Sequence, residues 1–144
     1  MVPASSLEYA GDISAAEAWE HLKTDPAAQL LDVRTTAEWN FVGLPDLSQV
    51  GRRVHCVEWQ SFPSGAQNPG FVAQASQALG DPKAPVLLLC RSGARSRAAA
   101  IALTKAGFSQ AYNIAGGFEG DTDPNGHRSN VNGWKASRLP WRQG

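Results

Sequence analysis

The sequence predicts an α/β fold: a mainly parallel sheet with helices on both faces. Three observations point there. Strand-like and helix-like stretches alternate along the 144-residue chain. The apolar runs "QLLDV" and "APVLLLC" show no polar–apolar alternation, as expected of strands covered on both sides. The second of them passes directly into the helical pattern "SRAAAIALTKAGF". Strands joined through helices lie parallel, and the site of such a sheet lies beyond the carboxyl ends of its strands.

The elements follow in order. In "ISAAEAWEHLKTD", Ser14 is an N-cap and Glu17 stands three residues on, the spacing of a capping box. Ala15, Ala18, Trp19 and Leu22 then recur at helical spacing. "QLLDV" is a strand, after which Thr35 or Thr36 caps a short helix through "AEWNFV" that the "GLP" turn ends. "RRVHCVEW" reads as a third strand, and the Pro-, Gly- and Ser-containing loop "SFPSGAQNPG" leads to a helix over "FVAQASQAL". "APVLLLC" is the most apolar strand. The helix after it starts at about Ser96 and closes at Gly107. "AYNIAGG" is a last strand entering a Gly-Gly turn. The tail is polar until "WKASRLPW", whose Trp134, Leu139 and Trp141 are expected to pack back on the body. The carboxyl ends of these strands carry Arg34, Glu58 and Trp59, Cys90, and Ala115 to Phe118.

Composition narrows the class. The length suits one domain, residues 1–144, with a core that needs no disulfides. Thirteen basic and thirteen acidic side chains cancel, so no global field draws the chain to nucleic acid or anionic lipid, and neither is expected as a partner. Two cysteines in different elements suit a reducing compartment. "MVPASSLEYA" lacks the basic-then-apolar pattern of a leader, and Val86 to Leu89, the longest aliphatic run, is far too short to span a bilayer. A soluble, cytoplasmic protein is the expectation.

The segment "VLLLCRSGARSRAAAIAL", residues 86–103, carries the chemistry. A thiol attacks only as its thiolate, and an ordinary cysteine at neutral pH is mostly protonated. Three features after Cys90 favour ionisation. Backbone N–H groups of "RSGARS" can converge on one centre, with Gly93 free to take a conformation other residues avoid. The positive end of the following helix faces the sulfur. Arg91 and Arg95 add charge that does not titrate away. The competing reading, a buried inert cysteine beside a solvated arginine face, explains the thiol but not the strand-to-helix position, the glycine and the two serines together.

These residues resemble the rhodanese family of sulfurtransferases. "LLDVRTTAEW" at 30–39 is similar to its first motif, "CRSGARS" at 90–96 to its active-site loop, "NIAGGF" at 113–118 to its Gly-Gly segment, and "WKASRLPW" to its closing motif. The resemblance implies a single three-layer domain with a central, mainly parallel five-stranded sheet. It implies that Cys90 takes a sulfane sulfur from a small anion such as thiosulfate, becomes a persulfide, and passes the sulfur to a thiophilic acceptor, a thiol or a protein. Arg91, Ser92, Gly93, Ala94, Arg95 and Ser96 would form the anion cradle. Asp32 and Arg34 would support the loop, Asp32 by pairing with a loop arginine or else by capping the helix near Thr35. No cofactor and no metal are implied. The chain departs from the family in reading "FVGLPDL" at 41–47, without the family's histidine, and in an insertion at 121–132 that is expected to wall the pocket.

Two other classes compete. Cysteine phosphatases and arsenate reductases use H-C-x5-R; here Leu89 precedes the cysteine and Ser96 holds the position of that arginine. A persulfide carrier with little turnover of its own would keep the same loop. Smaller signals carry less. Cys56 is expected in the core; if the strands follow the order the resemblance implies, it lies two strand spacings, about 9–10 Å, from Cys90 and out of disulfide reach. Asp121, Asp123, Asn125 and Gly126 imitate the start of a calcium loop but lack the bidentate Glu, so a polar turn is the better reading. His21, His55 and His127 show no ligand spacing. Trp59 and Phe62 offer a pocket rim, with ordinary packing as the alternative, and Arg52 and Arg53 are expected in solvent.

Overall fold

The computed structural model describes residues 8–143. The expectation that no leader opens the chain falls largely on residues 1–7, outside them.

Capping fixes where the first helices begin. Strand β1 (Gly11–Ile13) ends at Ser14, whose Oγ accepts from the Glu17 N–H at 3.0 Å while Glu17 accepts from the Ser14 N–H at 2.9 Å. That reciprocal box starts α1 (Ala15–Thr24), which buries Ala15, Ala18 and Leu22. After β2 (Gln29–Asp32) a second box, Thr35 with Glu38, starts α2 (Thr36–Phe41). Thr35, not Thr36, is the cap.

Then come β3 (Leu44–Pro45), a short 3-10 turn, β4 (His55–Cys56), α3 (Phe71–Leu79), β5 (Val86–Leu89), α4 (Ala94–Lys105), β6 (Ala111–Ile114), α5 (Gly133–Ala136) and β7 (Trp141–Arg142). Five strands form the central sheet in the order β1-β6-β5-β2-β4, and each neighbouring pair is parallel. The α/β fold with a central parallel five-stranded sheet is thus observed.

Side chains of the inner strands alternate between two cores. Leu31, Val86 and Leu88 face α3 and α4, packing on Phe71, Ala75, Ala99 and Leu103. Leu30, Leu87 and Leu89 face the other way, against Ala18 and Leu22 of α1 and Trp134 of α5. The sheet is therefore covered on both sides, which is why its central strands carry no polar face.

Several expectations need correction. "GLP" does not simply end α2: Leu44 and Pro45 pair antiparallel with Arg142 and Trp141 as a separate two-stranded ribbon. "RRVHCVEW" contributes only His55–Cys56 to the sheet. Helix α4 starts at Ala94, two residues before Ser96. Arg52 is not in free solvent, since its guanidinium donates to the Ala28 and Asp25 carbonyls and ties the α1–β2 turn to the β4 side. Cys56 is exposed at the sheet edge rather than in the core. Trp134 is fully buried, whereas Trp141 stays 40 % exposed, lying against the Lys135 ammonium and edge-on to Phe118. Among the described residues no helix is long and apolar enough to cross a membrane.

Candidate active site

The site is built where β5 stops. Cys90 follows Leu89 at the end of the most buried strand and is itself 1 % exposed. The chain then turns through Arg91 and Ser92 to Gly93, which caps α4 at φ +117°, a conformation that favours glycine. A Cβ at Gly93 would find ordinary contacts, so backbone conformation rather than space calls for glycine there. At Gly117 both demands apply: φ is +59°, and a Cβ would strike the Cys90 carbonyl oxygen and approach the Arg91 carbonyl carbon to 2.7 Å.

That close approach lets the Gly-Gly turn clasp the loop. The Phe118 N–H donates to the Cys90 carbonyl at 2.8 Å, and the Glu119 and Gly120 N–H groups both donate to the Arg91 carbonyl at 3.0 Å. The loop backbone is fixed by β5 before it and by this turn above it.

Two groups touch the sulfur. The Gly93 N–H donates to Sγ at 3.1 Å, and the Ser96 Oγ lies 3.2 Å from it. The N–H groups of Ala94, Arg95 and Ser96 have no protein acceptor among the described residues; the first helical bond of α4 runs from Arg97 to Gly93. Open first-turn amides beside a sulfur give that position an affinity for negative charge.

Arg95 does not reach Sγ. It forms a two-pronged pair with Glu38, Nη1 to Oε1 at 2.7 Å and Nη2 to Oε2 at 2.9 Å. Burial works to raise the Glu38 pKa, but the Arg95 hydrogen bonds and charge, with help from Thr35, hold it below the ordinary range. The Arg95 pKa is raised in turn, first by the Glu38 hydrogen bonds and, against burial, by the negative charge of Glu38 and the field of Cys90. The guanidinium is thereby held on Glu38.

Asp32 and Arg34 are placed differently from the expectation. Asp32 pairs with Arg34, at 2.6 Å between Oδ2 and Nη2, and both side chains are fully buried. Asp32 neither meets a loop arginine nor caps α2. The Arg34 Nη2 also donates to the Gly43 carbonyl at 2.8 Å, and the guanidinium lies 4.3 Å from the centre of the Phe118 ring. Since Phe118 holds the Cys90 carbonyl, the pair stands under the loop by way of that ring.

A cleft of about 600 Å³ opens over the loop. Arg91, Arg95 and Arg128 supply positive charge, Glu38 and Glu119 negative charge, and Phe41, Val42, Phe62 and Pro63 apolar wall. Phe41 and Phe62 are strongly exposed. Trp59 instead packs edge-on against Phe71 in the core, so only one of the two rim candidates reaches the cleft. The loop at 121–132 supplies Arg128, whose Nη1 is anchored on the Gly120 carbonyl at 2.6 Å. Within it the carboxylates of Asp121 and Asp123 accept from the loop's own amides, including those of Asn125, His127, Asn130 and Asn132. This is the polar turn the sequence suggested.

Glu38, Asn113 and Arg128 belong to the site's surroundings but were not singled out from the sequence. Glu38 had a local signal, the Thr35-x-x-Glu38 box spacing. Asn113, an amide in the apolar strand "AYNI", had a weaker one.

A family model described as the STR4 middle domain matches residues 10–144. The rhodanese-like domain-containing protein 4, chloroplastic, of Arabidopsis thaliana is 33 % identical over 129 residues, which is 89 % of this chain and 25 % of that protein. The crystal structure of Rv0390 from M. tuberculosis is 51 % identical with a TM-score of 0.87, covering 94 % of this chain and 99 % of that one. The solution structure of the polysulfide-sulfur transferase homodimer from Wolinella succinogenes, at 22 % identity and a TM-score of 0.60, covers 92 % of this chain and 78 % of that one and shares its fold.

Proposed function

The chain belongs to the STR4 middle-domain family and has a rhodanese-like, sulfurtransferase-like fold, and on that premise we propose that it is a sulfurtransferase working through a Cys90 persulfide. The observation that carries this reading is the seating of Sγ at the start of α4, where it accepts from the Gly93 N–H beside three unpartnered amides.

The Cys90 thiolate attacks the outer sulfur of thiosulfate. A new S–S bond forms to Sγ, the bond to the central sulfur breaks, and its electron pair leaves with sulfite. Negative charge now rests on the outer sulfur of the persulfide, next to the amides of Ala94, Arg95 and Ser96. An acceptor thiolate or cyanide then takes that sulfur, and the electron pair of the Cys90 bond returns to Sγ. Arg91, Arg95 and Arg128, lining the cleft, attract the dianionic donor. No proton need be removed from the donor, so no general base is assigned. The acceptor is a thiol, on a small molecule or a protein, and a cytoplasmic, reducing setting suits the two free cysteines.

Thiosulfate:cyanide turnover by the wild type, by Cys90→Ser and by Arg95→Ala tests the proposal. Cys90→Ser should lose turnover entirely, and Arg95→Ala should raise the KM for thiosulfate. Mass spectrometry should find one added sulfur on Cys90 after thiosulfate treatment. Turnover of an aryl phosphate instead, with no sulfur gained, would replace this reading by the phosphatase one. Sulfur gained without turnover would leave a carrier.

A further inference from the structure

Behind the sulfur lies a hydrogen-bonded chain that the transfer chemistry above does not use. The Tyr9 hydroxyl and the Asn113 Nδ2 both donate to Asp12 Oδ1, each at 2.9 Å. Ser96 Oγ stands 2.5 Å from Asn113 Oδ1, 3.2 Å from Cys90 Sγ and, more weakly, 3.3 Å from the Gly93 carbonyl oxygen. Asn113 is 2 % exposed and Ser96 fully buried, while Asp12 is at the surface.

Proton counting orders this chain. A carboxylate only accepts, so Asp12 fixes the Asn113 amide with its nitrogen toward β1 and its oxygen toward Ser96. Asn113 Oδ1 has no proton to give, so the 2.5 Å contact consumes the single proton of the Ser96 hydroxyl. In that arrangement Ser96 can meet Sγ only as an acceptor, from an S–H. An ionised Sγ asks for the opposite: a donor. Ser96 cannot serve both at once.

We propose that Asn113, held by Asp12, is a positioning residue that competes with the Cys90 sulfur for the one Ser96 proton. It thereby favours states in which Sγ carries no charge. The competition follows from the geometry alone; its consequence for transfer rests on the persulfide reading. In the charged form Sγ is a neutral divalent sulfur, the negative charge sits one atom further out, and Ser96 stays on Asn113. On discharge Sγ becomes the leaving thiolate and Ser96 turns to it. Asn113 thus tilts the exchange between thiolate plus thiosulfate and persulfide plus sulfite toward the charged form.

The surrounding charges do not obscure this. On β2 Asp32 is matched by Arg34, and on α2 Glu38 is matched by Arg95 of α4. Arg91 of the loop and Glu119 line the outer cleft, and Arg97 of α4 lines the pocket on the Asp12 side.

The test is the pH profile of Cys90 alkylation by iodoacetamide in the wild type, Asn113→Leu, Ser96→Ala and the double variant. Asn113→Leu should move the midpoint to lower pH by about one unit, the scale of one hydrogen bond to a charged group. In the Ser96→Ala background the same substitution should do nothing, because the shared proton is gone. Asp12→Ala, a change at the surface, should move the midpoint the same way by less. In mixtures of thiosulfate and sulfite, Asn113→Leu should hold a smaller persulfide fraction by mass spectrometry. An unmoved midpoint in both Asn113→Leu and Asp12→Ala, or an equal shift without Ser96, would overturn the proposal. Failure of the wild type to gain sulfur would sink the persulfide reading while leaving the alkylation result to decide the proton competition.

Discussion

Arg95 and Glu38 meet through two parallel hydrogen bonds, at 2.7 and 2.9 Å, and so join the first turn of α4 to the first turn of α2. Glu38 also completes the Thr35 box, so one carboxylate holds a helix start and a cleft-lining arginine together. Glu38→Gln keeps a hydrogen-bonding side chain but removes the charge, and should cost about 1 kcal/mol at pH 7, the scale of a partly exposed pair. The Glu38 pKa is lowered in the fold, so its contribution is present above the ordinary glutamate value of 4.5 and fades as pH falls through the lower, folded value. Urea denaturation should therefore show wild type and Glu38→Gln separated at pH 7 and converging below pH 4.5.

The buried Asp32–Arg34 pair obeys a different rule. Both side chains are out of water, and the Arg34 Nη1 already lacks a partner. Asp32→Ala would strand the guanidinium and should cost about 3–5 kcal/mol. Replacing both, Asp32→Leu with Arg34→Met, should cost less than Asp32→Ala alone, because no uncompensated charge remains buried. Denaturant midpoints of the single and double variants measure this. A double variant at least as unstable as the single would show that the pair is worth more than the cost of burying it.

The two cysteines should be chemically separable. Cys56 is exposed at the sheet edge, yet partial burial of its sulfur there, and after it the Asp32 carboxylate of the adjoining strand, push its thiol up to about 12. At pH 8 its thiolate share is then about one in ten thousand. Limited iodoacetamide treatment at pH 8 should add one group, mapped to Cys90, and Cys56→Ser should leave that labelling and the turnover unchanged. Strand β2 lies between β4 and β5, so non-reducing peptide mapping should find no Cys56–Cys90 link.

What the sequence disclosed follows from the range over which each signal acts. The Ser14 and Thr35 caps, the apolar run of β5 and the loop from Cys90 to Ser96 are each complete within a few residues. Their patterns survive without knowledge of the rest of the chain. Strand β1 consists of Gly11, Asp12 and Ile13 and has no pattern of its own; pairing with Tyr112 to Ile114 makes it a strand. The β3–β7 ribbon joins residues nearly a hundred apart, through Pro45, which reads alone as a turn. The site divides in the same way. The loop from Cys90 to Ser96 was legible, while Arg95–Glu38 and Asn113–Asp12 span 57 and 101 residues and carry no local mark. From the sequence Asp32 has two candidate roles, a pair with a loop arginine or a cap near Thr35; its partner is Arg34, two residues away, with its guanidinium against the Phe118 ring.

Arg128 tests whether the loop at 121–132 contributes to donor recognition. Its guanidinium lines the cleft with Arg91 and Arg95 and is moored to the Gly120 carbonyl, and it makes no hydrogen bond to Sγ. Arg128→Ala should raise the KM for thiosulfate by about three- to tenfold, the loss of roughly 1 kcal/mol of attraction at a part-exposed site, with kcat nearly unchanged. The difference should shrink as ionic strength rises, since added salt screens an exposed arginine more than the amides beside Cys90. Loss of kcat with KM preserved would instead place Arg128 among the groups that act on the reacting sulfur.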